Sequence, residues 1–365
     1  MATQRLDPAA IPELQPTTEL RELSQGAARY PFIATGQREA EAWQLACRSA
    51  LAETVGFVGD PVDDWSMRPP APHAEVIEEV DRGDFVRRKI LLTTAPRARM
   101  PVYLLHPKGA SGPLPVVVAY HGHGYGVKDI VGLWENGEER TVYEGYHKDF
   151  AVALCRRGFL VAAPEIACFG ERQADYSRLD ADLGQPVPTT CHNAATHAFM
   201  LGKSMIGLRV RDGIRLLDYL ATLAEADVRR LGVMGISGGG MLTFFHAALD
   251  CRIRACVVSG YFTNWRESIL AMDHCTCNFV PGLLTIGELT DVACLITPRP
   301  LLVEAGTRDG IFPVEAVRQA VARTREISAV FGGDPARDVE LDEFEGRHMI
   351  SGRRACDFLW ERLGR

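Results

Sequence analysis

From residue 75 onward the chain alternates short apolar runs with longer amphipathic segments, and this rhythm carries most of the fold information. Residues 115–120 (Pro-Val-Val-Val-Ala-Tyr) form an unbroken apolar run, the pattern of a strand buried on both faces of a parallel sheet. Further strands are expected at 159–163, 231–234, 255–259, 301–305 and 339–344. Between them lie helical stretches at 146–157, 205–223, 240–249, 314–331 and 353–363. In the second of these Ile206, Val210, Ile214, Leu217 and Leu220 share one stripe. The runs at 74–80, 85–93 and 100–105 are separated by turn residues and suit antiparallel edge strands. The expected class is therefore α/β: a doubly wound, mostly parallel sheet with antiparallel edge strands and an N-terminal helical extension.

The extension, residues 1–75, is polar and punctuated by proline. It holds one expected helix, 38–55, with Trp43, Ala46, Ala50, Leu51 and Val55 on one face. Residues 76–365 make up the main domain. Two connections in it are long, 165–204 and 261–291, and both follow predicted strand ends. Open α/β sheets place their ligands at such ends, and loops this long are usually functional.

Composition adds exclusions. A chain of 365 residues with 47% hydrophobic and 24% charged residues buries a large core without staples. Its 40 basic and 47 acidic residues give a net charge of −7, which argues against a nucleic-acid partner. No signal peptide or membrane span is expected, and the reading is cytoplasmic. The ten cysteines are scattered and expected to be reduced. Whether the chain forms a homo-oligomer stays open.

The sharpest chemical signal is Gly235-Ile236-Ser237-Gly238-Gly239, a G-x-S-x-G match between a predicted strand and a predicted helix. A serine nucleophile at a strand–helix elbow needs small residues two positions to either side, where neighbouring backbone passes closely. The alternative is a glycine-rich helix start with a serine cap. A serine needs a base and the base an orienting acid. His348 sits in the loop between the last strand and last helix, whereas His246 falls inside a helix and His274 in a long loop as a candidate pocket residue. Asp309 follows the apolar strand ending at Gly306 and is the candidate acid, with an Asp-Gly turn as its plain alternative. Asp334 and Asp342 are rivals. For the oxyanion, the amides of Gly238 and of His123 are the candidates, the second lying in Tyr120-His121-Gly122-His123-Gly124-Tyr125-Gly126, an HGxG loop. Which amide of residues 121–124 serves is not fixed by sequence. A phosphate-cradling loop is the weaker reading, because no G-K-[ST] follows.

Cys275-Thr276-Cys277 beside His274, with Cys191-His192 in the other long loop, raises a zinc reading. The spacing is C-x-C and nothing in the sequence places the two loops together, so no metal is expected. Cys275, His274 and Tyr125 are instead expected to line the substrate pocket. Glu165 and Glu171 follow a strand end and either bracket the site or form salt bridges.

Over residues 100–365 the HGHG loop, the GISGGG elbow, the AGTRDGIFP acid loop and the FEGRH histidine loop together resemble the serine α/β-hydrolases. Within that superfamily the chain is similar to bacterial dienelactone-hydrolase-like and acetyl-xylan-esterase-like proteins. Ser237 stands where dienelactone hydrolases carry cysteine. The resemblance implies an α/β-hydrolase fold, a Ser237–Asp309–His348 triad, no cofactor, and hydrolysis of small short-acyl esters. An amidase or peptidase using the same triad, and an inactive hydrolase fold that only binds, are the alternatives.

Overall fold

A computed structural model of the chain describes residues 5–58, 71–175 and 190–364. Nine strands form one sheet: β1 (Ala74–Asp81), β2 (Phe85–Ala95), β3 (Ala98–Pro107), β4 (Leu114–Tyr120), β5 (Leu160–Pro164), β6 (Ala226–Ile236), β7 (Ala255–Ser259), β8 (Leu301–Gly306) and β9 (Val339–Phe344). Their order across the sheet is β1-β2-β3-β5-β4-β6-β7-β8-β9. The pairs from β1 through β3 to β5 are antiparallel, and every later pair is parallel. This is the expected class.

The helices are α1 (Pro16–Ser24), α2 (Gln37–Val55), α3 (Phe150–Arg157), α4 (Thr190–Met200), α5 (Met205–Leu220), α6 (Gly238–Leu249), α7 (Leu289–Ala293), α8 (Val314–Val330), α9 (Pro335–Asp338) and α10 (Ala355–Leu363). Strand parity divides the core between the two sheet faces. In β4, Val116, Val118 and Tyr120 join the cluster that holds Leu51 of α2, Val210 of α5, Phe244 of α6 and Val317 of α8. Val117 and Ala119 point the other way, towards Phe150 and Leu154 of α3 and Phe358 and Leu359 of α10. A period of two with both faces covered is why this strand reads as an unbroken apolar run. The edge strand β1 is mostly exposed and carries Glu75, Glu78, Glu79 and Asp81, charges that keep an open edge from pairing with another chain.

Several boundaries differ from the sequence expectation. The helix expected from residue 146 begins at Phe150, because Lys148 and Asp149 take left-handed backbone (φ 50° and 47°). The Asp149 carboxylate accepts from Gly132 N–H at 3.0 Å and does not cap its own helix. Strand β6 starts at Ala226, well before the expected 231. Helices α1, α4, α7 and α9 lack an expectation altogether: α1 buries no residue, so no stripe marks it, α7 spans five residues behind a capping box of Glu288 and Asp291, and α9 spans four.

The N-terminal extension is stitched to the main domain. Arg48 donates to the carbonyl oxygens of Ala248 and Leu295, both at 2.9 Å, and Gln44 donates to that of Thr297 at 2.6 Å. Arg29 N–H reaches Thr285 O at 2.7 Å and Phe32 N–H reaches an Asp291 oxygen at 2.9 Å. Among the described residues no helix is long and apolar enough to cross a membrane.

His246 of α6 is fully buried, and its Nδ1 accepts from the Tyr120 hydroxyl at 2.8 Å. Burial pushes its pKa down to about 4. The unfolded chain protonates this ring below about 6.5 while the native state keeps it neutral. Its contribution is therefore complete above pH 6.5 and is lost as pH falls from there towards 4, on the order of 3 kcal/mol. The melting temperature is expected to fall across that window. In His246→Asn, which still offers Tyr120 a partner, the fall should be shallower; equal slopes in a melting series from pH 7.5 to 4.5 would refute this role.

Candidate active site

Ser237 occupies the turn between β6 and α6 with φ 56° and ψ −120°, a conformation that a non-glycine residue holds only under constraint. The constraint is visible. Ser237 N–H donates to Ser259 O of β7 at 3.0 Å, and the serine carbonyl accepts from Met241 N–H at 2.8 Å, which starts α6. The flanking glycines have the steric purpose expected of them. A Cβ on Gly239 would sit 2.5 Å from His121 O and against Tyr120 O, and one on Gly235 would meet the backbone of Gly239.

Asp309 lies just past β8. One of its oxygens accepts from the amides of Ile311 (2.8 Å) and Phe312 (3.1 Å), and the other bonds His348 Nδ1 at 2.7 Å. Burial pushes this carboxyl up, but the hydrogen bond and charge of His348 and the two amides outweigh it, so the pKa is lowered and the group stays ionised. The imidazole stacks between Tyr146 (centroids 5.7 Å apart) and Phe312 (5.8 Å). It also lies over Gly260, where a Cβ would come within 2.8 Å of it. A proton on Nδ1 leaves Nε2 as the acceptor. That nitrogen is buried with no hydrogen-bond partner among the described residues. His348 and Ser237 line one cavity of about 340 Å³ with His123, Gly238, Tyr261, His274 and Phe312. The rival carboxylates are occupied elsewhere: Asp342 accepts from Ser351 Oγ (2.5 Å) and pairs with Arg353 (2.8 Å), and Asp334 caps α9.

The HGHG loop is held by buried polar pairs. Gly122 N–H donates to His147 Nε2 at 2.8 Å, and His147 Nδ1 donates to Asp129 at 2.8 Å. Asp129 is paired in turn with Arg140 at 3.0 Å, and Arg140 also bonds Asp149. Burial pushes Asp129 up, but His147 and Arg140 together bring it down to about 2, while burial keeps His147 lowered and neutral. Tyr146 donates to His123 O. With the amide of Gly122 engaged, that of His123 is the next donor in the loop. Below it, buried Glu165 accepts from Val127 N–H at 2.9 Å and lies 3.1 Å from His121 Nε2. Gly126 (φ 99°) and Gly170 (φ 47°) make room for this carboxylate.

No family model matches the chain. The hydrolase-named protein YtaP of Bacillus subtilis (strain 168) is 27% identical over 271 residues, 72% of this chain and 82% of its own. Among solved structures, a Bacteroides fragilis protein described as an acetyl xylan esterase superposes with a TM-score of 0.73 at 17% identity, covering 91% of this chain and 82% of that one. A glucuronoyl esterase from Solibacter usitatus gives 0.64 at 16% identity, covering 87% and 92%. The chain has an α/β-hydrolase fold. At these identities the structural likeness establishes the fold, which the motifs had led us to expect.

Within this α/β-hydrolase frame, some expected pocket residues move. His274 and Cys275 line the cavity, and His274 Nε2 lies 3.2 Å from Ser268 Oγ. Tyr125 does not line it. Its hydroxyl donates to Leu133 O (3.0 Å) and accepts from Arg140 (2.7 Å). The 261–291 connection supplies Tyr261, Met272, Asp273, His274, Cys275 and Asn278 to the wall. The 165–204 connection supplies none among the described residues, and its centre, 176–189, lies outside them. Glu165 braces the HGHG loop, and Glu171 pairs with Lys89 at 2.8 Å.

Nothing in the sequence placed the two long loops together, yet they approach each other, with Cys191 near Cys275 and Cys277. The imidazole that joins the latter two is His123, not His274. Sequence spacing could not reveal this, because the contact forms only when residues over 80 positions apart fold together. Tyr146, His147, Asp129, Arg140 and Phe312 were missed because their partners are set by the fold rather than by any motif spacing. Of these only Phe312, beside the Asp309 turn, carried a local signal.

Gly239→Ala is expected to lower stability by about 2–3 kcal/mol, because the clash is with backbone carbonyls that cannot move aside. Gly310→Ala, where a Cβ meets nothing within 4 Å, should change it by less than about 0.5 kcal/mol. Urea titrations of the two variants beside wild type check the contrast, and similar midpoints for both would contradict it.

Proposed function

We propose that the protein is a carboxylic ester hydrolase that works through an acyl-enzyme on Ser237. The observation that carries this reading is the Asp309–His348 hydrogen bond of 2.7 Å. It leaves Nε2 unpartnered in the cavity that Ser237 also lines. Nε2 takes the Ser237 proton as Oγ attacks the ester carbonyl, and returns it to the leaving alcohol when the tetrahedral intermediate collapses. Asp309, ionised, holds the ring in the required tautomer and stabilises the imidazolium. The amides of Gly238 and His123 receive the oxyanion, a contribution of about 3–4 kcal/mol per donor in comparable sites. Water, activated by the same imidazole, then releases the acid.

Small acyl groups, of the acetyl type, suit the site best. The cavity is of moderate size, and Asp273, His274 and Asn278 place polar groups in an otherwise mainly apolar wall, where they can receive the hydroxyls of a hydroxylated alcohol. The esterase names of the structural neighbours agree with this substrate class.

Turnover of p-nitrophenyl esters from acetate to dodecanoate tests the reading. Acetate should be hydrolysed fastest, and dodecanoate hydrolysed equally fast would end the short-acyl claim. Ser237→Ala and His348→Ala are each expected to lower kcat by at least ~10³-fold with little change in melting temperature, and Asp309→Asn by ~10³–10⁴-fold. A Ser237→Ala variant that retains wild-type turnover would overturn the mechanism.

A further inference from the structure

A cluster of sulfur and imidazole groups against the cavity wall has no part in ester hydrolysis. Cys275 and Cys277 flank the start of a 3₁₀ turn (Thr276–Asn278), and their sulfurs lie 3.2 Å apart. Their ligand atoms and that of His123 all fall within 4.8 Å of one another. His123 Nε2 is buried with no hydrogen-bond partner among the described residues. Cys191, at the start of α4, lies near Cys168, Cys275 and Cys277. Cys168 itself is held in left-handed backbone at φ 79°.

Beside these sulfurs lies Arg209, buried to 2% exposure. It donates to Ala167 O at 2.9 Å and to Cys191 Sγ at 3.5 Å. Among the described residues it forms no ion pair with a carboxylate, although a buried guanidinium requires a compensating negative charge.

We propose that His123, Cys275, Cys277 and Cys191 bind a zinc ion in a tetrahedral Cys₃His site. Zinc takes thiolate at ~2.3 Å and imidazole at ~2.0–2.1 Å, which sets donor–donor separations of about 3.5–3.8 Å. His123, Cys275 and Cys277 are already grouped on that scale, and Cys191 must move in to complete the shell. The charges also balance. Binding releases three thiol protons, leaving three thiolates around a dication, and the net single negative charge is neutralised by Arg209. Four protein donors close the coordination shell, so the ion is structural and does not act on the substrate. It would tie the HGHG loop, the 261–291 loop and α4 together behind the oxyanion amides. The site stands or falls independently of the ester-hydrolase reading, since its test measures bound metal.

The test uses the whole chain, reduced, stripped with a chelator and titrated with Co(II). One equivalent should give the intense near-ultraviolet thiolate-to-cobalt charge-transfer band and the visible bands of a tetrahedral ion, and Zn(II) should displace it. Cys275→Ser and Cys277→Ser should each weaken binding by at least ~10²-fold. Cys251→Ser, at an exposed cysteine outside the cluster, should bind as wild type. Folded, reduced wild type without a charge-transfer band would overturn the site, as would an unchanged band in Cys277→Ser. If the serine variants do not fold, native wild type decides: one equivalent of zinc should remain bound to the reduced chain after desalting and be released on titration of its thiols with an organomercurial, and no retained zinc would overturn the proposal.

Discussion

The turn at Ser237 is the constraint to which the other parts of the site are referenced. Its backbone conformation costs roughly 1–3 kcal/mol, and the protein holds it by crowding the turn from three sides. Ser259 of β7 takes its amide, the buried helix α6 begins on its carbonyl, and the carbonyls of Tyr120 and His121 pack on Gly239. That last contact matters twice. It forbids a side chain at 239, and it fixes where the chain leaves β4, hence where the amide of His123 lies relative to the serine. The end of β7 does the same for the imidazole, since His348 rests on Gly260, the residue after Ser259. One close backbone crossing thus sets the mutual position of serine, loop amides and histidine.

The loops that leave this crossing gain rigidity from paired charge. His147, Asp129, Arg140 and Asp149 form a chain of buried hydrogen bonds under the HGHG loop, and Glu165 forms a second support beside it. Such networks stabilise a conformation only when every member is satisfied, and removing one partner leaves a charge stranded away from water. Arg140 illustrates the point: it bonds two carboxylates, the Asp129 carbonyl and the Tyr125 hydroxyl, and its guanidinium lies 5.3 Å from the Trp134 ring.

What the sequence made legible follows from the range of the interactions involved. Strand β4 could be placed because burial on both faces writes itself into six consecutive residues, and β7 matches its expected bounds for the same local reason, while β9 matches through a partly buried pattern. Ser237, Asp309 and His348 could be named because turns after strands carry glycine and proline signatures. Tyr125 lies outside the cavity lining because its hydroxyl is engaged by Leu133 and Arg140, partners that no local pattern announces. His147 and Arg140, which hold the loop, have no local pattern at all. The cysteine cluster was discounted on spacing, a criterion blind to a donor set assembled from the HGHG loop, α4 and the 261–291 loop.

The N-terminal segment binds the carbonyls of Thr285, Leu295 and Thr297 and the Asp291 side chain, all on the stretch that continues the cavity's wall towards β8. The two stretches, 29–48 and 285–297, therefore cannot diverge separately. A change of length or path in the second strands donors in the first, so the two stretches are held to one common geometry.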